Sequence, residues 1–300
     1  MKLKDIFRSI LFNAAYWIIS VFYVLLATFS MVVPTRQELE TKKRFFVIRW
    51  IALFMHGSHE SVTSWIVGRY SRRMVQAMRY LAGIRLYVIG RRKVPTQCII
   101  AAKHHSWFDG FSMFSQFDQP LAFVTGDHLE RIPLLRGILY RLGAIVVNSC
   151  GGHETRKSLK ENAAKAVARG QSVLIYPEGN LSAPGTYHTY RTGVWHMYRD
   201  HKLPVVPVAT NLGCFAQQER FWKKSGIATL QFMDPIPYDS DMTKDEFMTR
   251  LEQTIERQSD ILISHAEGGG VVNSYLLNDQ KAREKEAKRE HPLDRLNQLS

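Results

Sequence analysis

Cysteine is scarce and unpatterned: Cys98, Cys150 and Cys214 are odd in number and far apart in 300 residues. This excludes a disulfide framework and the paired spacing of a metal site, and it suits reduced thiols. No Gly-x-Ser-x-Gly elbow is present, so a serine nucleophile of that kind is not expected. Zinc-ligand spacings, an RNA-binding signature and a basic recognition helix are also missing, which leaves no nucleic-acid partner to expect. Internal repeats are absent. Charge is missing altogether from residues 10–33, an almost continuous apolar run.

That run exceeds the roughly 20 residues needed to cross a bilayer core and is too long for an ordinary signal-peptide core, so a retained membrane helix is expected. Lys2, Lys4 and Arg8 precede it, and Arg36, Lys42, Lys43 and Arg44 follow it. The excess on the far side favours a cytoplasmic catalytic domain. A second apolar stretch at 45–55, broken by Arg49, reads as an interfacial helix. Trp65, Ile66, Tyr70, Met74 and Met78 then recur at helical spacing among Arg69, Arg72, Arg73 and Arg79. This predicts a packed helix whose basic face is either solvated or laid on anionic headgroups. The formal net charge of +13 likewise points to an anionic partner.

From residue 84 the pattern alternates between strand and helix. Strands are expected at 84–89, 98–102, 121–125, 144–148, 172–176, 205–210 and 228–233. Pro133 and Gly143 bracket a helix, Gly170 ends another begun near 154, and Thr243 with Glu246 makes a capping box. The expected fold is α/β, a mixed sheet flanked by helices and preceded by an N-terminal membrane-anchoring helical segment. The divisions are 1–82 for the anchor helices, 83–267 for the catalytic domain, and 268–300 for a charged tail that begins at Gly268-Gly269-Gly270. With 45% hydrophobic residues, the length suits one sizeable core.

The chemistry gathers in Lys103-His104-His105-Ser106-Trp107-Phe108-Asp109-Gly110, at a strand exit. His104 and Asp109 are five apart, which does not align them on one helix face, so a turn must bring them together. A paired imidazole then takes a proton from a hydroxyl while the carboxylate fixes its tautomer. The same residues also read as a plain turn in which Asp109 caps the next helix. About 70 residues later a buried strand runs into Tyr176-Pro177-Glu178-Gly179.

His104-x-Ser106-x-x-Asp109 resembles the HxxxxD motif of the glycerolipid acyltransferases. Tyr176-Pro177-Glu178-Gly179 resembles their FPEG block, and Val205-Val206-Pro207-Val208-Ala209 their later proline-containing block. The 1-acyl-sn-glycerol-3-phosphate acyltransferase (lysophosphatidate acyltransferase) branch matches best, over roughly residues 86–263. The resemblance implies a membrane-bound enzyme of phospholipid synthesis, on the cytoplasmic face of the inner (plasma) membrane. It would move a fatty acyl group from acyl-CoA or acyl carrier protein to a lysolipid acceptor. His104 would be the general base and Asp109 its partner. Glu178 and Gly179 would form the acceptor-binding turn, with Lys103, Ser106 and Arg191 as further substrate contacts. No metal or organic cofactor is implied.

Two departures bear on the acceptor. Asn180-Leu181 stands where Thr-Arg usually follows FPEG, and Ser149 stands where a short strand usually ends in arginine. Both missing arginines are of the kind that grips phosphate. Lys103, Arg156, Lys157 or Arg191 would compensate, or the acceptor is another lysolipid, such as a lyso-aminolipid or a headgroup-bearing lysophospholipid. A non-catalytic lipid-binding relative is the reading from a different class, and the intact His104 and Asp109 argue against it.

Overall fold

The computed structural model describes residues 3–33, 61–118, 121–148, 153–186, 188–217 and 220–266. The stretch expected at 45–55, the glycines at 268–270, the tail, Cys150 and Ser149 lie outside them.

The apolar run forms α1, Leu3–Ser30, 28 residues long and apolar enough by length and composition to cross a membrane. One face packs on α2, Val62–Ala77, whose first turn is capped by Ser61 accepting from the Ser64 N–H at 3.1 Å. Phe12 and Ala27 are buried in this contact, Tyr23 stacks on Tyr70, and Ser20 Oγ lies 2.7 Å from the Tyr70 hydroxyl. The opposite face leaves Phe7, Trp17, Ile18, Val21, Phe22 and Phe29 exposed. Within α2, Ile66 and Met74 face inward as the spacing predicts. Trp65, expected in the same stripe, turns outward beneath the Arg69 guanidinium, 5.2 Å from the ring centroid. Cation–π contact there substitutes for burial.

After a π-helical turn, Met78–Ala82, come β1 (Ile84–Ile89), β2 (Ile99–Ala102), α3 (Phe108–Phe114), β3 (Ala122–Gly126), α4 (Pro133–Leu142) and β4 (Ile145–Val147). The chain continues through α5 (His153–Ala168), β5 (Val173–Ile175), α6 (Gly193–His201), β6 (Val205–Thr210), β7 (Gly226–Phe232) and α7 (Lys244–Ala266). Each expected strand is present within a residue or two of its expected bounds. The sheet order is β1-β7-β6-β2-β5-β3-β4, and among these described strands only the β6–β7 pairing is antiparallel. The mixed sheet is therefore five parallel strands joined to an oppositely directed pair.

The central strands β2 and β6 are buried along their whole length, as parallel strands covered on both faces must be. Alternate residues of β2 serve opposite layers. Ile99 and Ala101 join the core formed with Leu159 of α5, Tyr198 of α6 and Phe247 and Ile255 of α7, whereas Ile100 and Ala102 join Met113 of α3. The capping box forms as read: the Thr243 N–H donates to Glu246 Oε2 at 2.9 Å, and the Glu246 N–H donates to Thr243 Oγ1 at 3.3 Å.

Phe12 is fully buried against the Phe108 ring, with centroids 5.4 Å apart, and so ties α1 to the α3 layer. Phe12→Ala is expected to destabilise the protein by about 3–5 kcal/mol. The check is denaturant unfolding in detergent, with proteolysis showing whether α1 detaches first.

Candidate active site

Two neighbouring parallel strands, β2 and β5, end side by side, with Ala101 in register with Ile175. The residues just beyond them, Lys103-His104 and Tyr176-Pro177-Glu178, therefore meet above the carboxyl edge of the sheet, where open α/β sheets place their ligands.

His104 and Asp109 are brought together. His104 Nδ1 lies 3.2 Å from Asp109 Oδ2, and the same oxygen accepts the backbone N–H groups of His105 and Ser106, each at 2.7 Å. Asp109 thus closes the turn and orients the imidazole with one carboxylate; it does not cap the next helix, because it stands inside α3, whose N-cap position Trp107 makes no side-chain cap bond, and reaches back to N–H groups that precede the helix. Ser106 is buried. Its hydroxyl donates to the Ala216 carbonyl at 2.6 Å and accepts the Phe108 N–H at 3.2 Å, so it fixes the turn.

The two histidines differ sharply. The side chain of His104 is 20% exposed, and its ring stacks on Tyr176 with centroids 3.8 Å apart at 15°. His105 is buried, and burial, followed by the charges of Lys103 and His104, holds its imidazole well below the usual range and therefore neutral. His104 is the imidazole that reaches solvent. Tyr176 is partly exposed but its hydroxyl is enclosed, and burial together with the Asp109 charge keeps its phenol well above its ordinary range.

Beneath the turn lies a buried ion cluster. Lys103 Nζ contacts Glu178 Oε2 at 3.2 Å and Glu256 Oε2 at 2.8 Å, and it donates to the Thr186 carbonyl at 2.9 Å. All three ammonium protons are thus directed at protein acceptors. Glu178 is buried, its Oε2 also accepting the His188 N–H at 3.0 Å while Oε1 has no partner. The Tyr190 hydroxyl donates to Glu256 Oε1 at 2.7 Å. Burial raises the Glu256 carboxyl, against the opposing pull of Lys103 and Tyr190.

Gly179 is held at φ 72°, and a Cβ there would come within 2.5 Å of Arg191 Nε. Both the backbone and the neighbour therefore demand glycine. Arg191 is anchored by its N–H to the Pro177 carbonyl at 2.8 Å, and its side chain is exposed across the turn. A guanidinium consequently stands beside Glu178-Gly179 although Leu181 occupies the motif's arginine position.

The Acyltransferase family model matches residues 85–211, which carry both motifs. These residues form an acyltransferase-family domain. The chain is similar to the 1-acyl-sn-glycerol-3-phosphate acyltransferase of Pseudomonas aeruginosa, 29% identical over 164 residues. That match covers 54% of this chain and 61% of the relative. It is also similar to the human 1-acyl-sn-glycerol-3-phosphate acyltransferase beta, 22% identical over 62% of this chain and 67% of the relative. The crystal structure of the 1-acyl-sn-glycerophosphate (LPA) acyltransferase from Thermotoga maritima superposes with a TM-score of 0.63. It covers 87% of this chain and 96% of that one at 17% identity, a likeness of fold.

Two members of the candidate site were not singled out from the sequence. Glu256 sits mid-helix in α7, 153 residues from Lys103, with no local signal that distinguishes it from a surface glutamate. Tyr190 stands just before Arg191 and reads locally as a loop aromatic.

The cluster holds one cation between two carboxylates, so its members are not equivalent. Glu256→Gln leaves a neutral Lys103–Glu178 pair. Lys103→Met leaves two buried carboxylates without a counterion, and breaking a buried pair in that way costs about 3–5 kcal/mol. Denaturant midpoints are expected to fall much further for Lys103→Met than for Glu256→Gln.

Proposed function

We propose that this protein is a membrane-associated O-acyltransferase that moves a fatty acyl group from a thioester, acyl-CoA or acyl carrier protein, to the free hydroxyl of a lysophosphatidate-type acceptor, forming phosphatidate. The observation that carries this reading is the pairing of a partly exposed His104 with a buried Asp109. Asp109 engages Nδ1, which leaves Nε2 of the neutral imidazole to accept the acceptor's hydroxyl proton. The oxygen attacks the thioester carbonyl, the tetrahedral intermediate expels the thiolate, and the proton on Nε2 passes to sulfur. Thiolate is a good leaving group, so no acyl-enzyme is required. Stacking on Tyr176 restrains the ring in the plane this transfer needs.

Glu178 supports acceptor binding by its place in the turn beside Arg191; its enclosed Oε1 has no protein partner. Arg191 is the exposed cation at the same turn and is our candidate for the acceptor's phosphate. Lys103 and Ser106 act on substrate indirectly, through the turns they hold. The relatives' names, 1-acyl-sn-glycerol-3-phosphate acyltransferase, agree with this acceptor. A second reading keeps the reaction and exchanges the acceptor for another lysolipid, and the leucine at position 181 favours it.

For the membrane, we infer that α1 lies along the interface and does not cross it. Its inner face is covered by protein from Ser9 to Ser30 while its outer face stays apolar and exposed. The excess of positive charge after α1 favours the cytoplasmic side of the inner membrane.

The test is transfer of a labelled acyl group from acyl-CoA and from acyl carrier protein to lysophosphatidate and a lysolipid panel. His104→Ala is expected to lower turnover by at least about 10²-fold with every acceptor. Arg191→Ala is expected to raise KM for lysophosphatidate by on the order of tenfold or more, and to change it little for acceptors without a phosphomonoester. Wild-type turnover confined to another lysolipid selects the second reading. Folded, lipid-bound protein inactive with every donor and acceptor leaves a lipid-binding relative.

A further inference from the structure

One stripe of α1 is polar. Asp5, Ser9 and Asn13 stand four residues apart, and each bonds an alternate residue of the loop before β7. Ser225 Oγ donates to Asp5 Oδ1 at 2.8 Å, the Lys223 N–H donates to Ser9 Oγ at 2.8 Å, and Asn13 Nδ2 donates to the Phe221 carbonyl at 2.9 Å. The match is geometric: four helical residues rise about 6 Å, and two extended residues advance about 6.6 Å. The loop is held on its other side by the Lys224 N–H, which donates to the Phe215 carbonyl at 2.8 Å.

A segment fixed this firmly nonetheless leaves two large rings in solvent. Phe221 and Trp222 are exposed and meet edge to face with centroids 4.9 Å apart. They adjoin the end of α1 that exposes Leu3, Phe7 and Ile10, and they are flanked by the exposed cations Arg220 and Lys224. An aromatic pair between cations, on a loop bonded to a helix with an exposed apolar face, has the chemistry of a bilayer interface: rings at the acyl boundary and cations among headgroup phosphates.

We propose that the loop at 220–225 is a second membrane-inserted element, locked in register with α1, in which Phe221 and Trp222 enter an anionic leaflet. This rests on the interfacial reading of α1. The insertion bears on catalysis because the same loop follows Ala216, whose carbonyl holds Ser106 of the catalytic turn. The height of His104 above the leaflet is thereby set from two sides, by α1 beneath Phe108 and by the loop beneath Ser106.

The test uses the full chain and vesicles of phosphatidylglycerol with phosphatidylcholine, or of phosphatidylcholine alone. Tryptophan quenching by brominated acyl chains is compared between the wild type and Trp222→Phe, and flotation between the wild type and the double variant Phe221→Ser/Trp222→Ser. Unfolding in detergent confirms that each variant is folded. The expected result is a quenched component absent from Trp222→Phe and a partition coefficient lowered on the order of tenfold by the double variant. Unchanged quenching and flotation, with the wild type still bound, overturn the loop proposal and leave the α1 reading standing. A wild type that does not float overturns both. A double variant that floats normally but loses a dimer seen for the wild type by sedimentation in detergent makes the face a contact between copies, and the proposal fails.

Discussion

A lysine ammonium buried between two carboxylates is the constraint on which the site depends. The Lys103 N–H donates to the Val208 carbonyl at 2.9 Å, so Lys103 prolongs the pairing of β2 with β6 by one residue. Strand periodicity then assigns the side chains. Ala101 faces the α5–α7 layer, Lys103 follows on that side and finds Glu256 of α7, and Ala102 with His104 faces the α3 layer that supplies Asp109. An ion pair on one face of the sheet thus determines which way the His104 imidazole points on the other.

The same cluster explains why a C-terminal helix belongs to the candidate site although it lies beyond the family-matched residues. A carboxylate and an ammonium lose much of their hydration energy on burial and recover it only through close, directional partners. Glu178 gives Lys103 an ion-pair partner at 3.2 Å, and the Thr186 carbonyl and both Glu256 oxygens accept its hydrogen bonds. The Tyr176-Pro177-Glu178-Gly179 turn is therefore held from below by α7 and from above by the Arg191 side chain crossing Gly179.

Much of this was legible in the chain. Seven apolar runs punctuated by glycine, proline and polar turns identify the strands, because buried strands need continuous apolar residues and turns need special backbone angles. The pairing of His104 with Asp109 was legible as a motif. Sheet order was not, since nothing in a run such as 226–232 states which neighbour it joins or in which direction. Glu256 and Tyr190 were equally silent. Their roles exist only through a partner far away in sequence or across the core, and local pattern carries no trace of it. Trp65 shows the opposite failure: its spacing was correct for the inner stripe of α2, yet an arginine one turn later offered its ring a different partner.

The apolar helix at the N-terminus shows why length and hydropathy do not settle how a segment meets a bilayer. At about 1.5 Å per residue, the 28 residues of α1 reach about 42 Å, ample for a crossing. Directional contacts, however, tie both of its ends to the same domain. Asn13 and Ser9 bond the loop before β7, and at the far end Arg141 of α4 donates to the Met31 and Val33 carbonyls. A helix fixed at both ends cannot stand across the membrane without drawing its covering into hydrocarbon. That covering includes Arg141 and the α2 stripe bearing Arg69 and Arg73. Placing even one such cation at the bilayer centre costs about 3 kcal/mol or more. Lying flat keeps the cations in water or among headgroups and gives hydrocarbon only the face whose exposed residues are Phe7, Trp17, Ile18, Val21, Phe22 and Phe29.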